Sequence, residues 1–143
     1  ANYSLNVNYD LSVDQLFAAN KFSNNYDGIS PRNFSVERKG IREISVRFYK
    51  FNHYVTGDEA VRQIEADGCV SEDVTTLLTF AKEYPLEQLR FPIVALGSGS
   101  LDDSFNNWNV FLFGRYYDLE RFYGLITFDS NFPPNYRFLV SCK

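Results

Sequence analysis

Apolar and polar side chains alternate strictly over residues 2 to 9, with Tyr3, Leu5, Val7 and Tyr9 on one side and Asn2, Ser4, Asn6 and Asn8 on the other. A period of two is that of a half-buried strand, so the chain is predicted to open on one. The period then changes. Ser12 followed by Gln15 forms a capping box ahead of Val13, Leu16 and Phe17, which predicts a short helix ending near Asn20. From Lys21 to Lys39 no period persists; Asp27-Gly28 and Ser30-Pro31 mark a long connection with one short strand at residues 33 to 37. Alternation returns after Gly40, where Ile44, Val46 and Phe48 share a face and predict a second strand.

Two helices follow in succession. Thr56 and Glu59 cap the first, Ala60, Val61 and Ile64 form its inner stripe, and Gly68 falls where a left-handed C-cap belongs. Ser71 is the predicted N-cap of the second; Glu72 and Asp73 suit its positive end, and Val74, Leu77, Leu78 and Ala81 keep helical spacing until Tyr84-Pro85. The apolar run FPIVAL, residues 91 to 96, predicts a buried strand ended by a turn at Gly97-Ser98-Gly99. Short strands at 110–113 and 122–128 and a closing alternating strand, with Tyr136, Phe138, Val140 and Cys142 on one face, complete the reading.

At 143 residues the chain suffices for one domain, 1–143, with its own core. No apolar run approaches the ~20 residues that span a bilayer, and no basic, apolar leader opens the chain, so neither membrane insertion nor an export signal is expected. Net charge is −4 but unevenly placed: residues 32–50 carry six Lys or Arg against two acids, and residues 51–92 carry eight acids against three bases. The basic stretch alternates with apolar positions, so its charges are expected to coat the outer face of a strand. Nucleic acid is not an expected partner, because the tract richest in rings is itself slightly acidic.

Catalytic and metal chemistry find little support. Gly97-Ser98-Gly99-Ser100 lacks the Lys-Ser/Thr of a phosphate loop and is expected to be a turn. His53 is the only imidazole, Asp102-Asp103 are neighbours whose side chains diverge on a strand, and Cys69 and Cys142 are too few for a zinc site. The two cysteines fit either one disulfide or two buried reduced thiols, and the second alternative is the expected one. No catalytic residue, metal or cofactor is therefore expected.

Residues 97 to 135 are different in kind. They hold ten of the chain's twenty-five aromatics, including its only Trp, interleaved with Asn, Asp, Ser and Gly. Rings offer large contact area at low conformational cost and short polar groups offer adaptable hydrogen bonds, the mixture of a recognition surface. Phe111, Phe113 and Phe128 are exceptions, expected to be strand residues facing a core.

Three blocks carry a resemblance: Val7 to Phe34, FPIVALGS at Phe91 to Ser98, and the terminal YRFLVSCK. They resemble a family of small proteins from uncultivated microbes with a VNYD opening, an IVALGS block and an RFLAVRK-like ending. A Gly-Ser turn, a tract holding Gly114-Arg115-Tyr116 and an Arg-Phe-Leu terminal strand are similar to the C-type lectin-fold variable proteins of diversity-generating retroelements and to the end of the formylglycine-generating enzyme fold. Asn107-Trp108-Asn109 is similar to the Trp-Asn-Asp element of calcium-dependent lectins, but the companion Glu-Pro-Asn or Gln-Pro-Asp is missing, so no calcium site is expected.

The resemblance implies an α+β, C-type lectin-like fold: two helices packed on a small antiparallel sheet, paired N- and C-terminal strands, and a loop-rich C-terminal half. Ile44 to Phe51 and Tyr136 to Cys142 suit the closing ladder. It also places Cys69 and Cys142 roughly where one lectin-fold disulfide lies. The implied function is non-enzymatic ligand display, with a surface near residues 100–132 diversified by mutagenesis of adenines and directed at a protein or surface ligand. Trp108, Tyr116, Tyr117, Phe122 and Phe132 are the expected contact anchors, and Ser100, Asn106, Asn109, Ile126 and Asn131 the adaptable positions. Arg115 fits either a ligand contact or a pairing with Asp118 that holds its loop, and the second is the expected role. A self-associating module and a formylglycine-generating-type enzyme with a reactive cysteine are the rival readings.

Overall fold

A computed structural model describes residues 2–20, 38–102, 107–115 and 121–142. These residues form, in order, β1 (Tyr3–Asn8), α1 (Val13–Ala19), β2 (Ile41–Tyr49), β3 (Val55–Thr56), α2 (Gly57–Ala66), β4 (Cys69–Ser71), α3 (Val74–Glu83), β5 (Ile93–Asp102), β6 (Asn107–Arg115), β7 (Arg121–Thr127), β8 (Asn131–Phe132) and β9 (Arg137–Cys142). The class is α+β, as expected. The short strand expected at 33–37 lies outside the described residues.

Local hydrogen bonds explain why the first two helices start where the sequence says. Ser12 Oγ accepts from Gln15 N at 3.1 Å while Gln15 Oε1 accepts from Ser12 N at 2.8 Å, and Thr56 and Glu59 repeat the exchange at 3.3 and 3.1 Å. Each box satisfies amides that the first helical turn cannot pair itself. Gly68 follows α2 with φ of 80°, the left-handed backbone expected of it. The third cap differs from expectation. Asp73, not Ser71, caps α3, its Oδ1 accepting from Thr76 N at 2.8 Å, because Ser71 is already committed to β4.

The main sheet runs β1-β2-β9-β5-β6-β7, with β4 also paired to β9. Its second and last long strands do form the expected ladder: Arg47, Phe48 and Tyr49 face Val140, Leu139 and Phe138. Three parts of the expected fold need correction. β1 pairs β2 rather than the terminal strand, β5 runs parallel to β9 so the sheet is mixed, and the C-terminal half is a meander of long strands rather than mostly loops. The two consecutive helices, α2 and α3, are joined by α1, which packs on α3.

The central strands β5 and β9 are buried on both sides. Val46, Ile93, Ala95, Phe113 and Leu139 pack with α1 and α3 on one face; Val94, Leu96, Val110, Phe138 and Val140 pack with α2, Val55 and Phe132 on the other. This is why FPIVAL is apolar without alternation: a central strand meets a core in both directions.

β5 and β9 run together only over Ile93–Val94 and Arg137–Phe138, after which they fork and the chain at Glu72 fills the gap. Glu72 N donates to Leu139 O at 3.0 Å and Gly97 N donates to Glu72 O at 2.8 Å. Its carboxylate is sealed in the fork, accepting from Ser141 Oγ at 2.5 Å and from the Arg38 guanidinium, which also bonds Asp73 at 2.8 Å and stacks 4.7 Å from the Tyr9 ring centroid. Burial opposes the Arg38 charge, but the Glu72 hydrogen bond and the Asp73 and Glu72 charges outweigh it and raise its already high pKa. The expected Gly97 turn is therefore the inner edge of a fork within β5, with the β6 register shifting between Ala95 and Ser100. A Cβ at Gly97 would lie 2.5 Å from the carbonyl oxygens of both Ser71 and Glu72. Gly97→Ala is expected to cost about 2–3 kcal/mol by forcing two backbones apart, read as a lower urea midpoint; an unchanged midpoint would mean that the fork is absent.

β4 also corrects the cysteine reading. Cys69 and Cys142 stand directly opposite each other in the β4–β9 ladder and form a disulfide. Opposed residues on one face of an antiparallel pair have Cβ atoms close enough for such a bond. The expected pair of reduced thiols does not hold.

Candidate functional site

The tract singled out by its rings is built as β5–β6–β7, an antiparallel meander on one side of the sheet. β6 is pinned at its centre: Val110, Phe113 and Gly114 are buried, and Gln88, itself 1% exposed, donates from Nε2 to Gly114 O at 2.7 Å. Phe113 faces the core as expected, and Phe128 packs half-buried against the second cluster. Gln88 was invisible to pattern reading, because a single buried amide inside a short 3₁₀ turn leaves no periodic signal.

Strand register separates the ten expected contact residues. Ser100 faces Asn109, Leu101 faces Trp108, and Asn109 and Val110 face Thr127 and Ile126 across β7, so Ser100, Trp108, Asn109 and Ile126 gather at one end of the meander. Phe122 faces Gly114 at the other end, six residues along β6 from Trp108, or about 20 Å at the usual strand rise. Asn106, Tyr116 and Tyr117 lie outside the described residues, as does Asp118, the expected partner of Arg115. The expected surface thus has two ends rather than one cluster.

Two further positions are resolved in detail. Asn131 is exposed on β8, opposite Thr56 of β3. Phe132 is not a contact anchor: it is 0% exposed, facing Val55 in the ladder and lying 5.5 Å, centroid to centroid, from Phe138. Pro133-Pro134 hid this, since the short β3–β8 ribbon that buries the ring pairs residues about seventy-five positions apart. Ile126 is half-buried against the same cluster.

The remaining chemistry is structural in its partners. His53 is exposed, with Nδ1 2.8 Å from its neighbour's carbonyl, Tyr54 O. Tyr9 donates or accepts across 2.7 Å to Thr76 Oγ1, and burial, only partly offset by that bond, pushes its phenol above 10. Among the described residues no group of three or more His, Cys, Asp or Glu is placed to hold a metal, and no helix is long and apolar enough to cross a membrane. No family model, curated protein or solved structure matches the chain.

Proposed function

We propose that this domain is a non-enzymatic ligand-binding protein of C-type lectin-like architecture, displaying a diversified surface over residues 100–132. The observation that carries the reading is the placement of the meander. Among the described residues β7 is the last strand of the sheet and pairs with β6 alone, so positions there change without disturbing the β1-β2-β9-β5 framework and its helices. Segments of this kind, held by a rigid scaffold, are where binding residues concentrate. The β2–β9 ladder and the Cys69–Cys142 bridge supply that scaffold in the arrangement the resemblance implies. With both cysteines in the bridge, the chain has no thiol left for formylglycine-generating-type chemistry.

Retroelement diversification leaves a signature outside the protein. Sequencing the DNA around the coding region is expected to find a reverse transcriptase gene and a template repeat that matches codons 100–132 except at adenines. A locus without either would remove the diversification, leaving ligand binding to be judged by itself.

A self-associating module is the second reading, favoured by the outer edge of β7, which no strand among the described residues covers and which could pair with another copy. Molar mass measured by light scattering in dilute solution distinguishes the two: display predicts a monomer, edge pairing a dimer that charged substitutions in β7 dissociate.

A further inference from the structure

Lys50, Arg90 and Arg137, from three distant segments, come together at the end of the sheet away from the Glu72 fork. The N-terminal ends of β1, β5 and β9 and the C-terminal end of β2 meet there around a cleft of about 490 Å³, lined by Tyr3, Arg47, Phe48, Lys50, Arg90, Phe91 and Arg137 among others. Its floor is aromatic and continuous. Tyr3 and Phe48 lie 5.5 Å apart, and Phe48 and Phe91 5.0 Å apart, edge to face.

Two of the cations are held in place on that floor. Arg137 lies 4.6 Å and Arg90 5.3 Å from the Phe91 centroid, and Arg137 Nη1 donates to the carbonyls of Asn135 and Tyr136 at 3.1 and 3.3 Å. Arg90 is paired to Glu87 at 3.0 Å. No carboxylate of the described residues forms an ion pair with Lys50 or Arg137. Arg47 turns its guanidinium away, donating from Nε to Cys142 Sγ at 3.1 Å. Lys50, Arg90 and Arg137 against Glu87 leave the cleft at about +2, within a chain of net charge −4.

Like charges fixed close together repel until an anion arrives, and stacked, backbone-bonded guanidinium groups lose little freedom in binding one. The aromatic floor adds a flat apolar wall beside the charges. We propose that this cleft is a binding site for a small organic oxyanion, a phosphate or carboxylate carried on a flat apolar body. Its lining residues lie outside 100–132, and it does not depend on the display reading.

The test is a titration of the ¹⁵N-labelled protein, followed by amide shifts, with phenyl phosphate, benzoate, inorganic phosphate and phenol. Phenyl phosphate or benzoate is expected to give saturable shifts at Lys50, Phe91 and Arg137. Inorganic phosphate is expected to bind at least about tenfold more weakly and phenol not to saturate. Lys50→Gln with Arg90→Gln, both at exposed positions, is expected to weaken binding about tenfold or more while leaving the remaining spectrum folded. No saturation by either oxyanion up to about 10 mM, equal binding of phenol, or unchanged affinity in the double variant would overturn the site. Inorganic phosphate binding as tightly as phenyl phosphate would overturn the flat-bodied ligand class.

Discussion

Arg38→Ala is expected to destabilise the domain by about 3 kcal/mol or more, far beyond an ordinary surface substitution. Glu72 is completely buried, and Arg38 is the only cation that reaches it among the described residues. Removing the guanidinium strands that carboxylate in the fork between β5 and β9 and takes the stacking partner from Tyr9. Urea unfolding at neutral pH reads the loss as a lower midpoint. In a Glu72→Gln background the same substitution is expected to cost about half as much or less, because no buried charge is left behind. Equal losses in both backgrounds would show that Arg38 acts by packing alone.

Replacing both cysteines, Cys69→Ser with Cys142→Ser, is expected to cost about 4 kcal/mol, the chain-entropy value for a loop of this size. The bridge spans 73 residues and ties β4 to the end of β9, and Arg47 lies across it, with its Nη2 3.6 Å from Cys69 Sγ. The double variant shows the cost as a reduced urea midpoint, while alkylation of the unreduced native protein is expected to add no mass. Full alkylation before reduction would mean that the thiols are free.

What could be read from the sequence divides along physical lines. Ser12 with Gln15 and Thr56 with Glu59 are contacts three residues apart, so composition alone reveals them, and the alternation in Tyr3–Asn8 and Ile41–Tyr49 records a face that any partner strand would bury. β4 was missed because three residues carry no period, and Ser71, which looks like a cap, is instead a half-buried strand residue whose buried hydroxyl finds no partner among the described residues. The Gly97 fork and the burial of Phe132 depend on Glu72 and Val55, neighbours only in the folded chain. The ring-rich tract was legible as a composition but not as a geometry: a mixed run of rings and amides does not disclose that its residues divide between the two ends of a meander. The basic cleft was missed for the same reason, since Lys50, Arg90 and Arg137 come from three distant segments.

The central claim is that framework and recognition surface are energetically separate. It is tested most directly by thermal unfolding of a set of substitutions at Ser100, Asn106, Trp108, Asn109, Tyr116, Tyr117, Phe122 and Asn131, measured beside Gly97→Ala. The account predicts that each of the eight shifts Tm by no more than about 2 °C, with unfolding still cooperative, while Gly97→Ala lowers it several-fold further. Losses at most of the eight comparable with that of Gly97→Ala would contradict it.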